Sequence, residues 1–252
     1  MEILVCIKRV PATGARITLT ADGRGIETRN LGFTISPHEE CAVEEAVRLV
    51  ETHGGSVTVL TLGPAEAAEQ LRDALAVGAD RAIHLLTDGR EWDAMATANA
   101  IIEVARAEPF DLLLFGNEAA DTGDYQVGIR VAVALGLPCV TGVKGIDVRD
   151  ETLVARRDFG GRWEMYEVPL LAVLTVKEGL NLPRYPSVPG RLRAKKKPLE
   201  QIEPVWQGGA ISSLEMIRLM TPPEQEKTVR ILGQGVTAVP HIVEILQELR
   251  LI

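Results

Sequence analysis

One polar loop holds most of the side chains that could do chemistry in this chain. Residues 116–128 read GNEAADTGDYQVG and follow the strongly apolar run DLLLF at 111–115. The loop is more polar and longer than a minimal connection of roughly two to six residues. Gly116 and Gly123 would let backbone amides approach a phosphate. The loop therefore predicts a nucleotide cradle; the alternative is a solvated loop in which Asp124 caps the next helix.

A second candidate site for an anion is the turn Ser36-Pro37-His38-Glu39. It precedes an amphipathic stretch at 39–50, and the N–H groups at the start of a helix attract negative charge. The other three histidines are scattered along the chain and predict no catalytic dyad.

Signatures of the common enzyme classes are absent from the sequence. It contains no Gly-x-Gly-x-x-Gly, Gly-x4-Gly-Lys-Ser/Thr, Gly-x-Ser-x-Gly or His-Glu-x-x-His motif. No nucleophile is paired with a base, so we predict no catalytic residue. Cys6, Cys41 and Cys139 lie far apart without a Cys-x-x-Cys pair, which predicts neither a disulfide framework nor a metal site.

The composition is that of a folded, acidic protein. The 252 residues carry a formal charge of -8 and are 46% hydrophobic, which argues against disorder and against a dedicated nucleic-acid binder. No apolar stretch reaches the roughly 18 residues that a membrane span needs. We therefore expect a cytoplasmic protein without membrane insertion.

Strands and helices alternate over the first two thirds of the chain. Apolar runs predict strands at 2–7, 56–62, 81–86, 111–115 and 138–143, with helices at 39–50, 65–77, 93–107 and 125–135. A hairpin (152–157 and 164–168) and a strand at 171–176 follow. This alternation predicts an α/β domain over 1–182 with a doubly wound, mostly parallel sheet of the Rossmann-like, adenine-nucleotide-binding type. Such sheets bind ligands at the carboxyl ends of their strands, where residues 8–11, 63–65, 88–93 and 116–126 would meet.

The charge is inverted in one window, residues 183–198. It contains six basic residues, no acidic one and four prolines, so its charge is +6 while the rest of the chain is -14. Because proline removes backbone donors, we predict an extended segment that joins neither the sheet interior nor a helix. Beyond it, a short helix from Ser212, a strand at 228–232 and a helix at 239–249 are too few to build a core. The arm at 199–252 should therefore lie on a partner.

Several stretches resemble the β-subunit family of electron transfer flavoproteins. They are CIKRVP (6–11), AVEEAVRL (42–49), LGPAEAAEQLRDALAVGADRA (62–82), the loop at 116–128 and TVKEGLNLPRYPSVPGRLRAKKKP (175–198). The resemblance implies a heterodimer whose α subunit holds most of the redox-active FAD, while the β subunit contributes to the flavin environment and binds AMP structurally. It also implies electron flow from dehydrogenases, such as the acyl-CoA dehydrogenases of fatty acid oxidation, to a quinone oxidoreductase, with no catalytic group on this chain.

Carried over by motif, the resemblance implies two sets of site residues. The cofactor-binding set is Cys6, Ser36, Pro37, His38, Glu39, Leu62, Gly116, Asn117, Glu118, Ala119, Asp121, Thr122, Gly123, Asp124, Tyr125, Gln126 and Val127. The partner-binding set is Tyr185, Val188, Pro189, Leu192, Lys195, Lys196 and Lys197, with Val188 as the apolar anchor that would insert into a dehydrogenase.

Departures from the family pattern leave alternatives open. Ser36 stands where Asn is frequent, His38 where an aromatic residue is, and Thr13 where some members have Tyr. Arg157 lies near the position of an acid, so a charge-reversed or different pairing is expected there. Residues 126–128 are closer to members that bifurcate electrons with a second FAD in place of AMP. A further alternative is a stand-alone adenine-nucleotide-binding module similar to universal stress proteins.

Overall fold

A computed structural model describes residues 1–204, 215–223, 229 and 231–252. The strands are β1 (Glu2–Cys6), β2 (Arg9–Pro11), β3 (Phe33–Ile35), β4 (Ser56–Gly63), β5 (Arg81–Leu86), β6 (Leu112–Gly116), β7 (Cys139–Arg149), β8 (Thr152–Phe159), β9 (Arg162–Pro169), β10 (Ala172–Val176) and β11 (Leu199–Ile202). The helices are α1 (Pro37–His53), α2 (Ala68–Val77), α3 (Ala94–Ala107), α4 (Val127–Leu135), α5 (Val188–Ala194) and α6 (Val239–Glu248).

The central strands are buried on both faces, which is why they are almost wholly apolar. Side chains alternate across a strand, so Ile3 and Val5 of β1 pack in the core cluster that contains α1 and α2. Leu4 and Cys6 point the other way, into the cluster that contains α3 and α4. Helices thus cover both faces of the sheet, and the predicted doubly wound α/β fold is confirmed.

The strand order places a switch point beside β1. Within the described residues the main sheet runs β11-β5-β4-β1-β6-β10-β7-β8-β9, and β1 pairs in parallel with both β4 and β6. From β1 the chain proceeds outward through β4 and β5, then crosses back to β6 on the other side. The loops after β1 and β6 therefore diverge, which opens a crevice at the carboxyl edge of the sheet. The predicted hairpin, β8 and β9, continues the sheet antiparallel at the far edge.

Three short strands were not predicted. β2 and β3 pair in a small antiparallel sheet beside the loop after β1. β11 adds to the main sheet in parallel with β5, so the sheet continues past the predicted domain boundary at residue 182.

The expectation that residues 183–198 contain no helix was wrong, because α5 lies within them. The Ser187 hydroxyl caps α5 by accepting a hydrogen bond from the Gly190 N–H at 3.1 Å. Pro189 falls in the first turn, where a helix requires no backbone donor. Proline is therefore accommodated in the first turn of this helix and does not exclude it.

The arm was predicted in part. α6 forms where a helix was expected, and none of its residues is buried. The predicted helix from Ser212 and the predicted strand at 228–232 lie in part outside the described residues. Residues 215–223, 229, 231 and 232, which the structure describes, are in neither a helix nor a strand. No helix in the described ranges is both long and apolar enough to cross a membrane.

Candidate functional site

A cavity of about 930 Å³ opens at the carboxyl edge of the sheet, at the switch point. Its walls come from the loops after β1, β4, β5 and β6 and from the start of α4. The predicted cofactor-binding residues that line it are Cys6, Glu39, Leu62, Gly116, Asn117, Glu118, Ala119, Asp121, Thr122, Asp124, Tyr125, Gln126 and Val127. The structure thus brings together residues that are up to 121 positions apart, from Cys6 to Val127.

Two side chains hold the polar loop in place. The Lys8 ammonium, from the loop after β1, donates to the Asp121 carboxylate at 2.8 Å and so bridges the two sides of the crevice. The Ser36 hydroxyl accepts a hydrogen bond from the Ala120 N–H at 3.2 Å. Ser36 is buried and does not line the cavity, so its contact with the site is through the loop that it supports.

Glu39 is the buried acid of the site. Only 6% of it is exposed, and its carboxylate accepts a hydrogen bond from the Lys8 backbone N–H. Burial raises the pKa of Glu39 well above its usual value, against the opposing effects of that hydrogen bond and of the Lys8 charge. Burial also raises the pKa of the neighbouring Cys6 thiol, and Glu39 adds to that rise. Cys6 therefore stays a thiol and acts as a wall residue.

Close packing fixes the beginning and the end of the polar loop at two glycines. A Cβ on Gly116 would lie 2.7 Å from the Glu39 Cγ, and a Cβ on Gly128 would lie 2.8 Å from the Thr175 Cγ2. Thr175 in turn donates from its hydroxyl to the Asn117 side-chain oxygen at 2.8 Å. Only glycine lets the backbone approach its neighbours this closely.

The start of α4 is a favourable place for an anion. Gln126 is the N-cap residue, but its side chain makes no capping hydrogen bond; it accepts from the Arg130 guanidinium at 2.8 and 3.1 Å instead. The first turn contains no acidic residue, and Arg130 lines the cavity. Free N–H groups, a helix dipole and a cation therefore face one space. The alternative interpretation of Asp124 as the helix cap is wrong.

Within the loop, the backbone turns at two residues of left-handed conformation. Gly123 has a φ of 61° and donates its N–H to the Ala119 carbonyl oxygen at 2.9 Å. Tyr125 has a φ of 58°, which is unusual for a residue with a Cβ. The adjacent Glu118 carboxylate raises the pKa of Tyr125 through a hydrogen bond. Gly123 does not line the cavity; it shapes the turn.

Pro37 and His38 also lie outside the cavity lining. Pro37 is the first residue of α1. Burial lowers the pKa of His38 in spite of the nearby carboxylates of Glu118 and Glu178. Both residues belong to the turn that positions Glu39.

Several lining residues were missed by the sequence analysis. Arg9 lies with its guanidinium carbon 3.3 Å from the centroid of the Phe33 ring, and burial lowers the pKa of Arg9. Trp92 and Asp93 reach the cavity from the loop after β5, where Asp93 also caps α3 by accepting from the Ala96 N–H at 2.8 Å. That loop was predicted to lie at the edge, but nothing in its sequence marked individual residues as ligands.

The predicted partner-binding residues lie on a separate surface. Tyr185 and Val188 are 96% and 74% exposed, and Pro189, Leu192, Lys195 and Lys196 are also exposed. Lys197 differs from them in that its ammonium donates to the carbonyl oxygens of Leu75, Gly78 and Ala79 at the end of α2. These hydrogen bonds hold this part of the chain against α2.

Arg157, for which a different pairing was expected, binds an acid of its own hairpin. Its Nε lies 2.8 Å from the Glu164 carboxylate, directly across the β8–β9 pair. Its guanidinium carbon also lies 5.6 Å from the Phe159 ring centroid.

The fold and the cavity define a doubly wound α/β protein with a large cavity at its switch point. The electron transfer flavoprotein domain family matches residues 25–205. The chain is 35% identical to electron transfer flavoprotein subunit beta of Bacillus subtilis over 98% of both chains. It is 34% identical to the human subunit beta over 92% of each chain, and 37% identical to that of Thermoanaerobacterium thermosaccharolyticum over 78% of this chain and 76% of the relative. The chain therefore belongs to the electron transfer flavoprotein family.

Proposed function

We propose that this chain is the β subunit of a heterodimeric electron transfer flavoprotein, an electron carrier whose FAD is held mainly by an α subunit. Family membership together with the cavity at the switch point carries this proposal. The matching family is that of electron transfer flavoproteins, so the redox chemistry is assigned to the flavin. We place the protein in the cytoplasm, where it would carry electrons from dehydrogenases to a quinone oxidoreductase.

The cavity suits the phosphate and base of AMP. The start of α4 and Arg130 would bind the phosphate, because free N–H groups and a cation converge there. Gly116 and Gly128 would keep the two ends of the polar loop in place beside the nucleotide, because they pack closely against Glu39 and Thr175. Leu62 and Trp92 supply apolar wall that an adenine ring could cover.

A second FAD in place of AMP, with electron bifurcation, is the second candidate. The cavity volume of about 930 Å³ lies near the upper end of the roughly 300–1,000 Å³ that is typical of ligand pockets, so the cavity offers room for a ligand larger than a mononucleotide. Residues Gln126-Val127-Gly128 resemble members that bind this second FAD, but the polar loop lacks their Asp-Gly-Asp-Thr order.

Two exposed apolar surfaces fit the α subunit. On the hairpin, Phe159 and Trp163 are each 62% exposed, beside an exposed Met165. On α6, Val239, Ile242 and Val243 are exposed, as is Leu249 just after the helix. Apolar surface of this extent is typical of a protein interface. We assign the dehydrogenase to the third surface, around Val188.

The test is the ligand content of the complex. The chain is expressed alone and together with an α subunit, and the bound nucleotides are released and quantified by chromatography. One FAD and one AMP per heterodimer, with a nearly colourless isolated chain, is the expected result. Two FAD per heterodimer would support bifurcation instead. A complex without flavin, or a chain that forms no complex, would refute the proposal.

Docking is tested separately with Val188→Ala. This variant should keep its full complement of FAD and accept electrons more slowly from an acyl-CoA dehydrogenase that reduces the wild-type heterodimer. Unchanged kinetics would remove Val188 from the docking surface.

A further inference from the structure

The basic segment, residues 183–198, is fastened at its beginning to α1 by Arg184. The Arg184 Nε donates to the Glu44 carboxylate at 2.9 Å, and the two terminal nitrogens donate to the Glu51 carboxylate at 2.7 and 2.9 Å. The Arg184 backbone N–H also donates to Glu44, at 3.1 Å. Glu44 and Glu51 are two helical turns apart and share one face of α1, so a single planar guanidinium bridges them.

Glu44 is a buried carboxylate, so it depends on Arg184 as its partner. Only 5% of Glu44 is exposed, and a buried carboxylate is tolerated when it is paired. Just before the segment, the Asn181 side-chain amide donates to Glu45 at 2.8 Å and to the Cys41 carbonyl oxygen at 3.0 Å. Successive turns of α1 thus bind the chain as it enters the segment.

The other end of the segment is fastened to α2 by two reciprocal contacts. Arg72 of α2 donates to the carbonyl oxygens of Ala194 and Lys197, at 2.6 and 2.8 Å. In return, the Lys197 ammonium donates to carbonyl oxygens at the end of α2, with Leu75 at 3.1 Å. Arg72 therefore binds carbonyl groups at and just after the carboxyl end of α5, and Lys197 binds those at the carboxyl end of α2.

Between its two ends, α5 rests directly on the backbone of α2. A Cβ on Gly190 would lie 2.6 Å from the Ala76 carbonyl oxygen, so the two helices touch at a glycine. Tyr185 and Val188 point away from this contact and are exposed. The exposed side chains are thus carried by a backbone that is fixed on both sides.

We propose that Arg184 is a positioning residue, which through Glu44 and Glu51 holds the basic segment as a pre-ordered platform for a flavin dehydrogenase. This inference rests on the proposed function. A platform that is ordered before docking loses less conformational entropy on association than a flexible loop does. Arg184 therefore acts on binding through the backbone that carries Tyr185 and Val188, without touching the dehydrogenase itself.

The first test measures order directly and needs no dehydrogenase. Amide hydrogen exchange is followed by mass spectrometry in the co-expressed heterodimer, for the wild type and for Arg184→Gln. We expect exchange in peptides covering 181–188 to become at least roughly tenfold faster, with β1, β6 and β10 unchanged. Glu51→Gln removes the charge of the more exposed of the two carboxylates that bind Arg184, so it should give a smaller increase in exchange at the same residues. This variant replaces Arg184→Gln in the experiment if Arg184→Gln does not fold.

The second test uses electron transfer from an acyl-CoA dehydrogenase that reduces the wild-type heterodimer. Arg184→Gln should raise the KM for the heterodimer about tenfold while kcat stays within about twofold and the flavin spectrum is unchanged. The matched control is Arg191→Gln, which removes the same charge from the same segment. Arg191 is 3.6 Å from Asp73 at the surface, so its loss should leave exchange unaltered and alter KM only at low salt.

The outcomes separate this inference from the proposed function. If Arg184→Gln exchanges and turns over like the wild type, Arg184 is no positioning residue. If its effect on KM equals that of Arg191→Gln and disappears with salt, charge steering explains it and the inference falls. If Val188→Ala leaves KM unchanged, the docking assignment is wrong, whereas local exchange in Arg184→Gln still decides whether the segment is held by α1.

Discussion

Gly128→Ala should weaken nucleotide binding much more than it lowers the free energy of unfolding. Gly128 is the second residue of α4 and faces Thr175 and Phe115 of the sheet. An added Cβ would be 2.8 Å from the Thr175 Cγ2 and 3.2 Å from the Phe115 Cγ, whereas ordinary contacts begin at 3.4 Å. Thr175 and Phe115 belong to buried strands, so the helix must move instead.

The expected loss of stability is small. Overpacking costs about 1–3 kcal/mol, and replacing glycine by alanine in a helix returns about 1 kcal/mol, so the free energy of unfolding should fall by roughly 0–2 kcal/mol. The effect on the site should be larger, because the free N–H groups and Arg130 move with the start of the helix. We expect the retained nucleotide to fall at least roughly tenfold, as hydrogen bonds weaken steeply with displacement.

The assay compares urea unfolding with nucleotide content in the purified heterodimer. Gly136→Ala is the matched control: Gly136 ends the same helix with a φ of 68° and has nothing within 4 Å of the position of a Cβ. It should lose about 1–2 kcal/mol through backbone strain and keep its nucleotide. A Gly128→Ala protein that holds nucleotide as firmly as the wild type would refute the argument that α4 binds it.

Two further predictions concern stability. Burial raises the pKa of Glu39 above that of the unfolded chain, so the wild type should lose stability as pH rises from the ordinary glutamate pKa through the raised one. Glu39→Gln should lack this loss, which is about 1.4 kcal/mol for each pH unit over which only the unfolded chain is ionised. If urea unfolding gives both proteins the same change in the free energy of unfolding between pH 5 and 8, the prediction is wrong. Asp93→Ala should lose about 1 kcal/mol by uncapping α3, and Asp93→Ser should recover most of it in thermal unfolding.

The sequence predicted the elements whose burial is regular. β6 and, after Glu2, β1 are apolar because both faces are covered, and β5 was predicted with its observed bounds. β11 was missed because it has only four residues, two of them exposed, and exists by pairing with β5. Such pairing depends on residues more than a hundred positions away, which no local pattern contains.

Site residues were predicted where one loop contains several polar residues together. They were missed where only tertiary packing brings a residue to the cavity. The loop at 116–128 combined length, polarity and glycine in one stretch, so its residues could be named in advance. Arg9 and Arg130 look like ordinary surface cations in the sequence. They become site residues because Arg9 packs on Phe33 and because the loop turns the start of α4 toward the cavity.

The charge of the basic segment is also changed by its tertiary contacts. Two of its six cations, Arg184 and Lys197, are bound inside the subunit, one to carboxylates of α1 and the other to carbonyl groups of α2. The formal +6 therefore overstates the charge that an approaching partner meets, because Glu44 and Glu51 neutralise part of it. Part of the acidic excess of the body is used to hold the basic segment in place. Long-range attraction should accordingly contribute less to docking than the order of the segment does, and raising the salt concentration should slow association less than six exposed charges would predict.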